Sequence, residues 1–358
     1  MTDQFRKLFM PERSMQNDTS IQTHDEQEEI LLELESVGCD LCGRDDTRLL
    51  CKNHDRIHNA DGNFNIVKCN HCGLMYVNPR PVQESILRYY PNNYAPYQQT
   101  SNRGQINGHN FIKSSLKRIY HLVSLSRLLN CIEVKNTVLP SIYRVNRETR
   151  LLDIGCATGE FLRKYHEKFG CKVYGVEIDK DAANYARDHN GIDVYNGDFL
   201  ANNFPNSFFN CITMWWFLEH TYSPSEVLKE VQRILKKNGI AVIGIPNGAS
   251  LGRYFFRDKW YGYDTPRHLY IFSPRTIRQL LQKAGGLKFI NIKHDYSTWD
   301  LMGSLQYLLF GEKYLPGKRI GNIQGNRIAR VLMMPLGLLQ GILKISGTMV
   351  IYANKINR

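Results

Sequence analysis

The sequence predicts an α/β protein whose main domain is built on a largely parallel sheet. After Thr149, short apolar runs alternate with stretches of helical periodicity, which is typical of strand, helix, strand units. The first apolar run, residues 151–154, leads directly into a glycine-containing turn and a helical stretch. With 358 residues, 42% of them hydrophobic, the chain can bury such a domain and a small additional module.

Six apolar runs account for the predicted sheet, and one helix among them has especially clear ends. That helix covers residues 274–284, with Ser273 as its N-cap, Pro274 at its first position, and Gly285 and Gly286 at its end. Four of the runs are expected to be parallel strands, and the last two are expected to close the sheet. The six runs are residues 151–154, 173–176, 211–215, 241–245, 288–294 and 348–353.

The chain divides into four segments by composition. Residues 1–36 hold three Lys/Arg and nine Asp/Glu and are predicted to be a disordered or weakly helical lead-in. Residues 37–80 form a cysteine-bearing module, and residues 81–148 a helical connector that could cap a cleft. Residues 149–358 form the main domain, in which a helical insertion over residues 299–346 precedes the last strand.

The net charge of +12 favours anionic partners. Because the lead-in is acidic, the rest of the chain is more basic than the total indicates. Phosphorylated small molecules, a membrane surface and nucleic acid would all suit such a charge, and so would simple solubility. We see no secretory signal at the start of the sequence, so a cytoplasmic location is expected.

The turn after the first strand has the features of a nucleotide-cofactor loop. Gly155, Ala157 and Gly159 supply small residues where the backbone would meet a ligand and a helix begins. Glu177 follows Asp153 by 24 residues at the end of the second strand, where a carboxylate can accept both hydroxyls of a ribose. Asp153 suits a cationic amino-acid ligand better than a pyrophosphate, which counts against a dinucleotide.

Three ordered motifs resemble those of class I methyltransferases that use S-adenosylmethionine (SAM): LLDIGCATGEFL from residue 151, VYGVEID from residue 173 and NGDF from residue 196. The resemblance covers about residues 149–294 and implies a Rossmann-like, seven-stranded sheet. The middle glycine of the usual loop is Ala157 here, a change of one methyl group that the site should tolerate. The resemblance implies that Asp153, Gly155, Cys156 and Gly159 surround the methionine part, Glu177 the ribose, Asp198 and Phe199 the adenine, and that Trp215 flanks the cofactor.

Four of the nine cysteines stand in two Cys-x-x-Cys pairs, each followed by glycine, with 26 residues between the inner cysteines. This pattern resembles a zinc ribbon, and a closed shell of four thiolates indicates a structural rather than a catalytic Zn²⁺. A redox dithiol is the alternative. The ribbon is similar to those that precede some methyltransferases of sugar and cell-surface glycan pathways. The predicted ligands are Cys39, Cys42, Cys69 and Cys72.

Two histidines are candidates for the base that would take a proton from the methyl acceptor. His220 follows the predicted strand at residues 211–215 and stands beside Glu219, and His268 lies in an aromatic-rich loop after the predicted strand at residues 241–245. We rank His220 first, and the alternative for both residues is packing or a hydrogen bond that fixes a loop. Some quinone-pathway methyltransferases bind a metal through Glu-x-x-Glu-His, but Trp216 occupies the first of these positions, which counts against a catalytic metal.

The remaining partner predictions concern nucleic acid and lipid. The chain lacks the Asn/Asp-Pro-Pro-aromatic segment of amino-methylating DNA enzymes, which counts against nucleic acid. Residues 299–358 hold eight Lys/Arg and two Asp/Glu, and their apolar part, residues 331–343, is short for a membrane span and is interrupted by Pro335. Peripheral membrane contact is one interpretation. Packing on the chain's own domain, or a homodimer contact, is the other.

These observations favour a SAM-dependent methyltransferase acting on a small molecule, specifically a sugar or lipid-linked glycan precursor. Two alternatives stay open. One is an RNA or DNA methyltransferase that grips its substrate with the basic surface and the ribbon. The other is a regulatory protein that binds SAM without turnover.

Overall fold

The computed structural model describes residues 32–90, 143–311, 323 and 326–356. Most of the predicted lead-in and most of the predicted helical connector lie outside the described residues. The strands are β1 (Leu34–Glu35), β2 (Thr47–Asn53), β3 (Phe64–Cys69), β4 (Met75–Val77), β5 (Arg80–Pro81), β6 (Arg150–Ile154), β7 (Lys172–Glu177), β8 (Asp193–Asn196), β9 (Phe209–Trp215), β10 (Leu235–Pro246), β11 (Tyr270–Ile271), β12 (Leu287–His294) and β13 (Thr348–Lys355). The helices are α1 (Glu160–Phe169), α2 (Lys180–Asn190), α3 (Pro224–Ile234), α4 (Leu251–Phe256), α5 (Pro274–Ala284), α6 (Trp299–Phe310) and α7 (Arg327–Ile342).

Seven strands form the central sheet in the order β12-β13-β10-β9-β6-β7-β8. The five from β10 to β8 run parallel, whereas β13 runs antiparallel to both β10 and β12. The predicted fold class is therefore confirmed: this is a Rossmann-like sheet of the class I methyltransferase type. Because β6 and β7 are parallel neighbours, the residues at their carboxyl ends lie at one edge of the sheet.

All six predicted strands are present, and α5 has the predicted bounds. The Ser273 hydroxyl accepts the Thr276 N–H, and the Thr276 hydroxyl accepts the Ser273 N–H in return, which completes a capping box. Strand β8 was not predicted, since its four residues are half polar and give no apolar run. It pairs with β7 and is the outermost strand on that side of the sheet.

The cysteine module does not form a sheet of its own. Strands β2, β3 and β4 are joined by β11, which belongs to the main domain and runs antiparallel to β4. Tyr270 pairs with Tyr76 and Ile271 with Met75, and all four side chains are buried. The segment that carries His268 therefore continues directly into a strand of the ribbon sheet.

The described part of the insertion is helical, as predicted, and α7 continues through Pro335. One face of α7 packs on the domain, where Gly337 and Gly341 lie so close to Tyr296 that a side chain would collide with it. The opposite face exposes apolar side chains. Among the described residues, none of the helices is both long and apolar enough to cross a membrane.

Candidate cofactor and active site

The loop between β6 and α1 has the tight, left-handed backbone that its glycines predict. Gly155 and Gly159 both have φ of 75°, and Gly159 is the N-cap of α1. A Cβ on Gly155 would lie 3.0 Å from Phe217 Cδ2, and one on Gly159 would lie 3.0 Å from Ile192 Cγ1. Glycine at these two positions therefore lets the loop approach its neighbours closely.

Glu177 holds this loop against the end of β7. One carboxylate oxygen accepts the Ala157 N–H at 2.8 Å, and the other accepts the Asp179 N–H at 2.9 Å. The side chain is buried, and burial raises the pKa of Glu177. Each oxygen keeps a second lone pair, so the carboxylate can accept two hydroxyls of a ribose without leaving its backbone partners.

Asp153 and Asp198 flank Glu177 along the edge of the sheet. The Thr213 hydroxyl donates to Asp153 Oδ1 at 2.6 Å, and Asp153 is buried. Asp198 is exposed and caps the short helix Phe199–Ala201, where its Oδ1 accepts the Leu200 N–H at 2.9 Å. Asp153 near the end of β6, Glu177 at the end of β7 and Asp198 after β8 thus offer hydrogen-bond acceptors to a ligand with an amino group, a ribose and an exocyclic amine, as SAM has.

Two residues predicted at the cofactor direct their side chains into the core. A Cβ on Gly244 would lie 2.5 Å from Trp215 Cε3, so the indole lies over β10. Likewise, a Cβ on Gly175 would lie 2.5 Å from Cys156 Sγ. Both side chains belong to one cluster of buried residues that includes the inner face of α1. Any cofactor contact of Cys156 would therefore come from its backbone.

Phe217 is a residue at this site that the sequence did not point to. Its ring lies against the Gly155 backbone and 6.5 Å, edge to face, from the buried ring of Phe199. Trp216 before it has φ of 50° and is 44% exposed, and this left-handed residue separates the core side chain of Trp215 from Phe217. The backbone reversal occurs at a residue other than glycine, so the sequence carried no signal of it.

The two candidate bases lie together. The rings of His220 and His268 meet edge to face with centroids 4.7 Å apart. His220 belongs to the short helix Leu218–His220, and its Nδ1 lies 2.9 Å from the Tyr90 hydroxyl and 3.0 Å from the Arg267 carbonyl. Burial lowers the pKa of His220 to about 3, with a further contribution from His268.

His268 is held by its own loop. Its Nδ1 lies 2.9 Å from the Gly262 carbonyl, and its Nε2 lies 4.0 Å from Glu219 Oε1 and 3.7 Å from Asp264 Oδ2. Burial lowers the pKa of His268 as well. Burial thus favours the neutral form of both imidazoles.

A buried ion-pair cluster holds the His268 loop on the ribbon. The Arg267 guanidinium donates to both oxygens of Asp55 at 2.8 and 3.1 Å, to Asp264 at 2.6 Å and to the Tyr89 carbonyl at 2.9 Å. Arg267 and Asp55 are fully buried, and Arg267 holds the pKa of Asp264 well below its usual range against the effect of burial. Sequence reasoning did not select these residues, because Arg267 and Asp55 are 212 positions apart.

The four predicted zinc ligands converge. Cys39 Sγ lies 3.4 Å from Cys72 Sγ, and Cys42 Sγ lies 3.6 Å from Cys69 Sγ. A tetrahedral Zn²⁺ with bonds of about 2.3 Å spaces its sulfurs at about 3.8 Å, so the set fits this ion. The glycines that follow the two pairs, Gly43 and Gly73, have φ of 75° and 85° and donate their N–H groups to the Cys39 and Cys69 carbonyls.

Comparison with known proteins agrees with this geometry. A family model described as a methyltransferase domain matches residues 107–286, half of the chain. An uncharacterized protein of Methanocaldococcus jannaschii is 28% identical over 146 residues, which are 40% of this chain and 66% of that protein. The chain thus spans just under two thirds of the length of this relative.

Solved structures with similar folds share low sequence identity with the chain. A putative sarcosine dimethylglycine methyltransferase of Galdieria sulphuraria is 15% identical, with 65% of this chain and 86% of that chain covered and a TM-score of 0.43. The geranyl diphosphate C-methyltransferase of Streptomyces coelicolor is 17% identical, with coverage of 62% and 75% and a TM-score of 0.43. The cyclase SpnF is 18% identical, with coverage of 63% and 81% and a TM-score of 0.44.

Proposed function

Because this chain belongs to the methyltransferase domain family, we propose that it transfers a methyl group from SAM to a sugar or a lipid-linked glycan precursor. The observation that carries the cofactor assignment is the Glu177 carboxylate. It joins the glycine loop to the end of β7 and keeps acceptor capacity for a ribose.

The chain's own residues would bind the cofactor in three places. Asp153 would accept a hydrogen bond from the amino group of the methionine part, and Glu177 would accept hydrogen bonds from the ribose hydroxyls. Asp198 would accept a hydrogen bond from the exocyclic amine of the adenine, which would lie beside Phe199. SAM supplies a methyl group on a sulfonium, and the S–C electron pair stays on sulfur when the acceptor takes that group. The protein must therefore align the acceptor atom with the S–C bond and provide a route for the acceptor's proton.

The proton would leave through the cluster of Glu219, His220 and His268. The cluster follows the carboxyl ends of β9 and β10, at the same edge of the sheet as the glycine loop. A neutral imidazole can accept a proton, but its low pKa makes His220 a weak base. This favours His268 over His220 as the proton acceptor, the reverse of the ranking from sequence.

A lipid-linked acceptor is supported by an apolar surface on the carboxy-terminal helices. Exposed apolar side chains cover the outer face of α7 and also occur on α4 and at the end of α6. Exposed apolar areas flanked by basic residues are typical of segments that contact a lipid surface. The most exposed of these side chains are Leu332, Ile328, Phe255, Ile342, Tyr254 and Leu309.

The reaction can be tested with SAM that carries a labelled methyl group. We expect the full chain to transfer label to nucleotide-activated or polyprenyl-phosphate-linked sugars, and not to a random RNA oligonucleotide. Label in RNA alone would contradict the proposed acceptor, and SAM binding without any labelled product would favour the regulatory alternative. The same assay with Glu177→Ala, beside the exposed Asp181→Ala as a control, links the product to the proposed cofactor site.

The lipid-linked part has a separate test in flotation with anionic phospholipid vesicles. We expect the full chain to float with the vesicles and Leu332→Gln to float less, since this side chain is 74% exposed on α7. The control is Leu49→Gln on the ribbon, where the side chain is 54% exposed. Equal flotation of both variants and the wild type would argue against membrane contact through α7.

A further inference from the structure

Glu219, His220 and His268 converge from two distant segments. The ligand atoms that these residues offer all lie within 4.8 Å of one another. Glu219 and His220 come from the short helix after β9, whereas His268 comes from the loop that Arg267 holds on the ribbon. The cluster therefore needs the ribbon contact as well as the central sheet.

The hydrogen-bond partners of the two imidazoles decide which nitrogens carry hydrogen. A carbonyl oxygen only accepts, so the contacts of His268 Nδ1 with the Gly262 carbonyl and of His220 Nδ1 with the Arg267 carbonyl place the hydrogen on Nδ1. The Tyr90 oxygen can share the His220 N–H as a second acceptor. Each neutral ring then has its lone pair on Nε2.

Glu219 adds a buried carboxyl group to the cluster. The side chain is fully buried, and neither of its oxygens has a hydrogen-bond partner among the described residues. An unpaired buried carboxyl group destabilises the folded state, because the hydrogen bonds it made to water are not replaced. The cluster thus brings acceptor atoms together, and none of the described residues donates a hydrogen bond to Glu219.

Neither a proton on Glu219 nor a neighbouring cation satisfies this arrangement well. A proton on Glu219 Oε1 would have no partner in His268 Nε2, because the 4.0 Å between these two atoms is too long for a hydrogen bond. The nearby guanidinium of Arg267 is already bonded to Asp55, Asp264 and the Tyr89 carbonyl.

We propose that Glu219, His220 and His268 bind a divalent transition-metal ion, with Zn²⁺ as the best match to the donor set. Two imidazoles and one carboxylate form a known set of catalytic zinc ligands that leaves a coordination position open. Zinc-bound histidines characteristically donate their other N–H to a carbonyl or carboxylate, as both imidazoles do here. Asp264, 3.7 Å from His268 Nε2, adds negative charge beside the ion.

This site revises the expectation drawn from Trp216. The sequence lacks a glutamate three residues before Glu219, which argued against a metal. In the fold, a ligand from a different segment, His268, completes the set. The site is distinct from the four cysteines, which form a separate cluster in the ribbon.

The role of the ion rests on the proposed function, whereas its binding does not. At the open position, the ion would lower the pKa of an acceptor hydroxyl. The O–H pair would stay on oxygen as the proton passes to water, and the oxygen would then form its bond to the methyl carbon while the S–C pair goes to sulfur. With the ion bound, His220 and His268 would act as its ligands, so water would take the proton in place of the His268 route proposed above.

Metal stoichiometry tests the binding directly. After saturation with Zn²⁺ and gel filtration, we expect about two equivalents in the wild type and about one in His268→Ala and in Glu219→Gln. The control His189→Ala, an exposed histidine on α2, should keep about two. One equivalent in the wild type, or an unchanged content in both cluster variants, would overturn the proposal.

Co²⁺ distinguishes loss of the site from loss of the fold. A four-cysteine site gives intense thiolate-to-cobalt charge-transfer bands, whereas a histidine and carboxylate site gives weak visible bands alone. We expect His268→Ala to keep the thiolate bands and lose the contribution of the second site. Identical cobalt spectra in the wild type and this variant would overturn the proposal, even if the variant were less stable.

Activity separates this inference from the proposed function. Two metal equivalents in a chain that methylates no acceptor would support the metal site and contradict the proposed function. Full methyl transfer by protein that retains metal only at its four cysteines would support the proposed function and contradict the role of the ion.

Discussion

The two halves of the candidate site are assembled in different ways. In the cofactor half, Glu177 bonds the Ala157 N–H only 20 positions away, within one strand, helix, strand unit. In the histidine half, Arg267 bonds Asp55 across 212 positions and the Tyr89 carbonyl across 178. The cofactor half is thus a local motif, whereas the histidine half exists only when the ribbon and the main domain pack together.

The largest expected effect comes from breaking the histidine half at Arg267. Arg267→Met would leave Asp55 and Asp264 as buried carboxylates without their cation, so we expect a loss of about 3–5 kcal/mol in unfolding free energy. Urea denaturation would measure it. The control is Arg163→Met, which removes a partly exposed pair with Glu160 and should cost less than about 1 kcal/mol. Similar losses in both variants would mean that the buried pair does not hold the two parts together.

A substitution in the cofactor half should weaken SAM binding more than it lowers the unfolding free energy. Glu177→Ala removes the acceptor for the ribose hydroxyls, and we expect SAM affinity to fall about 100-fold, or about 2.7 kcal/mol. Calorimetric titration would measure this. The exposed Asp181→Ala should bind SAM as the wild type does. Unchanged affinity in Glu177→Ala would remove the basis of the cofactor assignment.

This contrast explains what the sequence could predict. The strands, the helix after Ser273, the glycine turn and the four cysteines are marked by patterns a few residues long, and each is present. Local spacing also located Glu177 at the end of the second strand of this unit, since the distance along the chain from β6 to β7 is set by one intervening helix.

What the sequence could not predict depends on contacts between distant segments. Pairing of β11 with β4, the Arg267–Asp55 pair and the meeting of His220 with His268 follow from how the ribbon packs, which no local pattern records. The sequence also could not predict the direction of the side chains at the end of β9. The register of β9 places Trp215 against Gly244 in the core, and a left-handed Trp216 follows it.

Outside both halves of the candidate site, a carboxyl group beside α7 should make the stability of the protein depend on pH. Burial raises the pKa of Asp295 to about 8, with a further contribution from Asp300. Because the folded state then binds a proton that the unfolded state releases near pH 4, stability should fall as pH rises from about 4 to about 8. Asp295→Asn should remove part of this fall, on the order of 2 kcal/mol between pH 5 and pH 8.

Urea denaturation of the wild type and Asp295→Asn at both pH values would measure that difference. The exposed Asp188→Asn on α2 is the matched control and should leave the pH dependence unchanged. Parallel pH profiles for Asp295→Asn and the wild type would show that this carboxyl group does not titrate differently in the folded state.

The smallest expected effect tests how far the cofactor loop is fixed by backbone alone. Ala157 has φ of 48°, a left-handed conformation that costs an alanine about 1–2 kcal/mol. Glycine would avoid this cost, but it would also make the unfolded chain more flexible, which offsets part of the gain in stability. We therefore expect Ala157→Gly to stabilise the protein by up to about 1 kcal/mol in urea denaturation. SAM affinity should stay the same, because Glu177 bonds the backbone N–H of residue 157 and not its side chain. The control is Ala183→Gly in the interior of α2, which should destabilise the protein by about 1 kcal/mol or more. A loss of stability of that size in Ala157→Gly would contradict a left-handed conformation at residue 157.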